Sequence, residues 1–165
     1  APESRFLTNW TTIIMSNSQQ RQSWMATLAK SSLKALEDRI ADLQPLPPYD
    51  FLRPPEIGLT MVRGRAGGTG EIFNLGEMTV TRCAVQLGDP AAIVGFGYVA
   101  GRSRRHAELA ALCDALLQHP QWRDRIQKSV IEPLQGELRQ QHAARARQTA
   151  ATQVNFYTLV RGESE

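Results

Sequence analysis

The strongest constraint on the fold is a two-residue alternation that runs, with interruptions, from Leu59 to Ala100. Side chains of a strand point alternately to opposite faces, so a period of two predicts strands. Glycine-rich turns divide this region, and turns that short join antiparallel neighbours. The pattern predicts an antiparallel meander, with strands at 59–65, 71–75, 78–85 and 92–100 and turns at 67–70, at Gly76 and at 88–90.

Helical spacing flanks this sheet on both sides. Apolar residues recur every three or four positions over 18–43, 109–117 and 122–131. Ser31 or Ser32 is expected to cap a second segment of the first helical region.

Prolines predict where these helices end and begin. The prolines of QPLPPYDFLRPPE predict a linker with a short extended piece at 49–52. A third C-terminal helix is expected from Pro133 to about residue 150, followed by a final strand at 154–160. The predicted class is α+β, with N-terminal helices, an antiparallel meander sheet, C-terminal helices and a final strand.

The size and charge of the chain fit one globular domain. Its 165 residues are 42% hydrophobic and 21% charged. We expect residues 1–17 to be an N-terminal extension outside the fold and residues 18–165 to form a single α+β domain. The net charge of +3 is too mild to indicate a nucleic-acid partner. With no apolar run of membrane-spanning length and no sign of an oxidising compartment, we expect a cytoplasmic protein without a membrane partner.

The glycine-rich stretch Gly67-Gly68-Thr69-Gly70 has two interpretations, a phosphate-binding loop and a hairpin turn. A P-loop needs a lysine after its last glycine and a helix behind it. Here no lysine follows, and Glu71-Ile72-Phe73 has the composition of a strand. The hairpin turn is the better supported interpretation, because glycine adopts the positive φ angles that such turns need.

Two groups of cations are candidates for binding an anion or a partner protein. Arg63, Arg65 and Arg82 fall on alternate strand positions, where they form either a solvated face or a surface for phosphates or carboxylates. The second group crowds the start of the helix that carries Leu109, where the helix dipole is positive and cations are unfavourable. This cost is understandable if an anion or an acidic partner binds there, although a solvated helix start explains it equally well. The second group comprises Arg102, Arg104, Arg105 and His106, with Glu108 beside it.

No catalytic set is recognisable in the sequence. His106 and Glu108 do not face each other on a helix, and no serine or cysteine nucleophile stands in a known motif. Cys83 and Cys113 are expected to be buried thiols, and the scattered histidines show no metal-ligand spacing. We therefore expect no catalytic residue, no metal and no cofactor, which argues against an independent hydrolase.

Several fragments, in this order, resemble the PhnG family, the small subunit of the bacterial carbon–phosphorus lyase core complex. The likeness spans about residues 19 to 163 and depends on the ordered set rather than on any one fragment. The fragments are Arg21-Gln22 with Trp24-Met25, Arg63-x-Arg65-x-Gly67-Gly68-Thr69-Gly70-Glu71, Gly76-Glu77 with Thr79-x-Thr81-Arg82, Gly101-Arg102 with His106-Ala107-Glu108, and Phe156-x-Thr158-x-Val160-Arg161-Gly162.

The resemblance implies a role in phosphonate catabolism. In that family's pathway, the core complex displaces adenine from ATP with a phosphonate and forms a ribose 1-phosphonate 5-triphosphate. The chemistry is ascribed mainly to a large nucleosidase-like subunit, which would be this chain's chief partner, with ATP and phosphonate as substrates of the complex. The small subunit would be required without being catalytic, so no turnover is expected of the chain alone. The alternative from another class is a free-standing basic module that binds a nucleotide or RNA, which the mild charge and the lack of paired strand aromatics disfavour.

Overall fold

The computed structural model describes residues 18–88 and 93–152. Two helices, α1 over 18–30 and α2 over Leu33–Ala41, precede three strands, β1 (Tyr49–Arg65), β2 (Ile72–Leu87) and β3 (Ile93–Ala100). The rest is helical, with α3 (Arg104–Gln118), α4 (Pro120–Ile126), a π-helical turn (Gln127–Ile131) and α5 (Glu132–Ala151). The predicted extension at 1–17 and the predicted final strand at 154–160 lie outside the described residues.

The three strands form one antiparallel sheet in the order β1-β2-β3. This confirms the predicted α+β class and the meander. A 3-10 turn at Ala66–Gly68 joins β1 to β2, and Gly67 and Gly68 have φ angles of 59° and 81°. The chain therefore turns at these glycines and enters a strand, as the hairpin interpretation predicts.

The predicted turn at Gly76 is wrong, because β2 continues through it. Val62 pairs with Gly76 while Arg63 pairs with Asn74, which leaves Leu75 as an extra residue on β2. This is a β-bulge, and glycine with its φ of 155° suits a bulge as well as a turn. One long strand therefore replaces the two short strands predicted at 71–75 and 78–85.

The predicted proline-rich linker is also wrong in part, because β1 begins at Tyr49 and runs through Pro54 and Pro55. The register shifts between Phe51 and Arg53 and again between Arg53 and Glu56, so the prolines fall at an irregularity. β1 is an edge strand. Edges and bulges are where a sheet tolerates proline, because no ladder hydrogen bond is then lost.

The predicted start of α2 is confirmed, whereas the helix break predicted at Pro133 is not. The Ser32 hydroxyl accepts a hydrogen bond from the Ala35 amide at 3.2 Å, so Ser32 caps α2. The break predicted before Pro133 is absent, because α4 passes through the π-helical turn into α5. There the Glu132 amide donates to the Gln127 carbonyl, five residues back, and this wider turn accommodates the proline without ending the helix.

The core lies where α3 packs on the sheet, and two glycines of β3 set the distance between them. A Cβ added at Gly95 would lie 2.0 Å from the Ala111 carbonyl oxygen, and one at Gly97 would lie 2.1 Å from that of Ala107. α3 therefore lies directly on the backbone of β3. α1 and α2 cover the other side of α3 with residues that include Leu28, Leu36 and Ile40.

A buried carboxylate, Asp114, joins α1, α3 and β3. It accepts hydrogen bonds from Arg21 at 2.7 and 3.2 Å, from the Trp24 indole at 2.8 Å and from the Phe96 amide at 2.9 Å. A buried charge is tolerated only when it is paired and hydrogen-bonded, and Asp114 meets both conditions. The sequence offers no signal for this network, because Arg21 is 93 positions away.

Because α3 lies so close to β3, adding one methyl group at Gly95 should lower the stability of the protein substantially. We expect Gly95→Ala to destabilise the protein by about 2–3 kcal/mol or more, because backbone atoms of α3 would have to move. Gly136→Ala is the matched control, since a Cβ there meets nothing within 4 Å and alanine favours a helix by roughly 0.5–1 kcal/mol. Urea unfolding of both variants checks this, and equal stability of the two would contradict it.

Candidate partner-docking surface

The most exposed apolar surface lies on the part of the β1–β2 hairpin that extends beyond β3. β3 pairs with β2 only from Val80 to Leu87, whereas β1 pairs with β2 as far as Ile72. Residues 59–65 and 72–79 therefore form a two-stranded ribbon, which we call the arm. A two-stranded ribbon in water is marginally stable without further packing.

The arm exposes large apolar side chains on both faces. The register places Leu59 and Met61 on the face of the sheet that α3 covers nearer the base, and it places Phe73 and Met78 on the opposite face. Leu59 is 65% exposed, and Leu75 at the bulge is 67% exposed. Clusters of exposed apolar side chains on this scale mark interaction surfaces. The exposed apolar residues of the arm are Leu59, Met61, Ile72, Phe73, Leu75 and Met78.

The face of the sheet turned away from α3 carries two further exposed aromatic rings. Phe96 and Tyr98, two positions apart on β3, are 39% and 52% exposed. The guanidinium carbon of Arg21 lies 5.7 Å from the centre of the Phe96 ring. The expected lack of paired strand aromatics is therefore not met, since Phe96 and Tyr98 share a face, although α1 already supplies a cation to the Phe96 ring.

The three strand arginines do not form one group. Arg63 and Arg65 extend the arm face that carries Leu59, and Arg65 donates to the Gly70 carbonyl at 3.3 Å. Arg82 lies on the opposite face, where its Nε donates to a Glu56 carboxylate oxygen at 2.6 Å. Arg63 and Arg65 thus lie together at the end of the arm, where Arg65 contacts a backbone carbonyl, whereas Arg82 is paired with a carboxylate.

The cations at the start of α3 likewise include both paired and unpaired side chains. Ser103 caps the helix by accepting from the His106 amide at 3.4 Å. Arg105 pairs with Glu108 at 3.0 Å and lies 3.7 Å from Glu37. Arg102 and Arg104 are exposed, and no hydrogen bond or ion pair links them to other residues in the described part of the chain.

His106 and Glu108 are occupied by contacts with neighbouring residues rather than open to an anion. The His106 ring is buried, and its Nε2 lies 2.8 Å from the Leu28 carbonyl oxygen, to which it donates. Glu108 accepts from the Tyr49 hydroxyl at 2.6 Å. Burial, together with this carboxylate, raises the pKa of Tyr49 to about 12. Both residues tie α3 to its neighbours, so the candidate anion site is reduced to Arg102 and Arg104.

Within the described residues, the side chains assemble no reactive centre. Cys83 and Cys113 are buried, as predicted, and burial raises the pKa of Cys83 to about 11 and that of Cys113 to about 12. Both are therefore thiols, not thiolates, near neutral pH. No three His, Cys, Asp or Glu side chains in this part of the chain lie close enough together to hold a metal ion. None of the helices in these residues carries an apolar stretch sufficient to span a bilayer.

Sequence reasoning missed the apolar residues of the arm, which include the two most exposed large hydrophobic side chains of the described residues, Leu59 and Leu75. A signal was present, because apolar residues occupy both alternating sets of positions, Leu59 and Met61 on one face and Phe73 on the other. Such a pattern normally indicates a strand buried on both sides. In a hairpin that no other described element covers, it is the pattern expected of a surface that a further segment or another molecule buries.

Fold and surface together define an α+β protein whose largest exposed apolar feature suits contact with another protein. A family model described as "Phosphonate metabolism protein PhnG" matches residues 19–162. The chain is 41% identical over 147 residues to the alpha-D-ribose 1-methylphosphonate 5-triphosphate synthase subunit PhnG of Rhizobium meliloti (strain 1021). That alignment covers 87% of this chain and 90% of the relative. The chain belongs to the PhnG family of phosphonate metabolism proteins, as the sequence fragments predicted.

Proposed function

We propose that this chain is the small, non-catalytic subunit of a ribose 1-methylphosphonate 5-triphosphate synthase, and that its arm docks the large nucleosidase-like subunit. The similar Rhizobium meliloti protein is a subunit of that synthase. The observation that carries the docking role is the arm, with Leu59 and Leu75 about two-thirds exposed on a two-stranded ribbon. Burying these side chains against a partner would supply roughly 25 cal/mol for each Å² of apolar surface removed from water.

The chemistry in this proposal belongs to the complex, with ATP and a phosphonate as its substrates. The described part of the chain offers two buried, protonated thiols and a Tyr49 hydroxyl whose pKa is raised to about 12. None of these is suited to act as a base or nucleophile near neutral pH. The chain's contribution would be to position or stabilise its partner, which is why it would be required without turning over substrate.

The free-standing nucleotide- or RNA-binding module has less support. Phe96 and Tyr98 would offer rings on which bases can stack. The cations near these rings are already paired, Arg82 with Glu56 and Arg21 with Asp114, and the net charge of the whole chain is only +3. A surface that binds nucleic acid through its phosphates needs unpaired cations beside the rings.

A charge placed on the arm should disrupt assembly without unfolding the chain. We expect Leu59→Glu combined with Leu75→Glu to lower the affinity for the large subunit at least tenfold, because two exposed sites would bring charges into an apolar contact. Gln140→Glu with Gln141→Glu, on exposed positions of α5, adds the same charge elsewhere. Co-purification with the tagged large subunit and adenine release from ATP plus methylphosphonate are measured together. Full assembly and activity of the arm variant would refute the docking role of the arm.

The start of α3 is a second contact in this proposal, through Arg102 and Arg104. Replacing both with alanine should leave stability unchanged or slightly raised, because two cations are removed from the positive pole of a helix. Assembly or adenine release should fall several-fold if an acidic partner surface or a substrate phosphate binds there. Arg139→Ala with Arg145→Ala, which removes two exposed cations from α5, is the matched control. An arginine variant that assembles and releases adenine like the control would make the helix start an ordinary solvated surface.

A further inference from the structure

The arm lacks a third strand on the side of the sheet that β3 occupies nearer the base. β3 ends at Ala100, opposite Val80, and Gly101 then leads the chain away into α3 with a φ of 93°. The Gly101 amide donates to the Thr79 carbonyl at 2.9 Å, and this is where the pairing on that side stops. Within the described residues, the edge of β2 over 72–78 has no strand beside it. We call this stretch the open edge.

Apart from the bulge at Leu75, the open edge has little of the protection that strand edges usually carry. Its sequence, IFNLGEM, contains no proline or lysine, and Glu77 is its single charge. Natural proteins block exposed edges with such residues or cover them, because unpaired amides and carbonyls recruit another strand. The backbone of this edge is oriented for pairing. The Thr79 carbonyl points to the side that β3 occupies, and the backbone amide and carbonyl of Glu77, two positions earlier, point to the same side.

The helices direct the C-terminal end of the chain toward this edge. α1 runs antiparallel to α3, because Trp24 reaches Asp114 while Leu28 reaches His106 near the start of α3. Residues 127–135 line a groove with residues 20–24, and residues 135–142 line another with residues 23–30. α5 therefore runs parallel to α1, toward the end of the sheet where β3 stops and the arm begins.

The segment that follows α5 has the pattern and length to fill the gap. Residues 154–160, VNFYTLV, alternate as a strand does, and the family match extends through residue 162 and so includes them. At about 3.3 Å per residue, seven residues span roughly 23 Å, the length of the open edge. A strand continuing in the direction of α5 would run in line with β3 and hence antiparallel to β2, the pairing already used throughout this sheet.

We propose that the open edge of β2 is the docking site for this chain's own C-terminal segment, residues 154–160, which completes a third strand of the arm in line with β3. The added strand would satisfy backbone groups of β2 and convert a two-stranded ribbon into a three-stranded sheet. A third strand gives the arm the minimum that independent stability requires. The proposal concerns the isolated chain and does not depend on the proposed function.

Hydrogen exchange by NMR on the full-length chain tests this. The Glu77 amide faces the open edge, and the neighbouring Met78 amide faces β1, so Met78 is an internal control. We expect Tyr157→Pro combined with Thr158→Pro to speed exchange at Glu77 at least tenfold, and by a larger factor than at Met78, whose hydrogen-bond partner on β1 is retained. Adjacent residues point their amides to opposite sides of a strand, so one of the two prolines must remove a ladder donor. The control variant is Glu163→Pro with Ser164→Pro, which should leave both rates unchanged.

Three results would overturn the proposal. The first is a Glu77 amide that exchanges as fast in the unaltered chain as in the double-proline variant. The second is protection of Glu77 that disappears on dilution together with a dimer seen by sedimentation, which would assign the strand to a second copy. The third is protection that arises only when the large subunit is added, which would assign the strand to the partner.

Discussion

The contact of α3 with the backbone of β3 at Gly95 and Gly97 determines how much of the sheet this chain can cover by itself. α3 has 15 residues and is therefore about 22 Å long. β1 has 17 residues, which at about 3.3 Å each exceeds 50 Å. The glycines hold the helix against β3 at the base of the sheet, and Asp114 ties α1 to the same place. The remaining length of the hairpin projects beyond the helices as the arm.

The uncovered hairpin connects the fold to the proposed role. A chain stable on its own would gain by covering Leu59 or Leu75, or by replacing them with polar residues. Both faces of the arm are apolar, so contact with a flat surface would leave one face in water. A partner that receives the arm in a cleft, or that adds to a sheet completed by residues 154–160, accounts for both faces.

The sequence was informative where structure depends on near neighbours. Strand alternation, the Gly67–Gly68 turn and the Ser32 cap are local, and all three were predicted. Gly76 was mistaken for a turn because a bulge and a turn both favour glycine. Pro54 and Pro55 were assigned to a linker because only the finished sheet reveals that β1 lies at its edge. Each error arose where the same residue type suits two local structures.

The sequence did not predict which side chains are buried or which share a face of the sheet, because both depend on residues far away along the chain. His106 was grouped with the cations at the start of α3, but its burial depends on α1, 78 positions earlier. The separation of Arg82 from Arg63 likewise depends on sheet register.

Methionine oxidation footprinting tests the central claim, that assembly buries both faces of the arm. Met61 and Met78 lie on opposite faces of the arm and are 49% and 37% exposed, while Met25 packs against the core and serves as the reference. Peroxide treatment followed by mass spectrometry should oxidise both arm methionines readily in the isolated chain, and both should become resistant in the complex with the large subunit. Equal oxidation of Met61 and Met78 in the free and assembled chain would contradict the account.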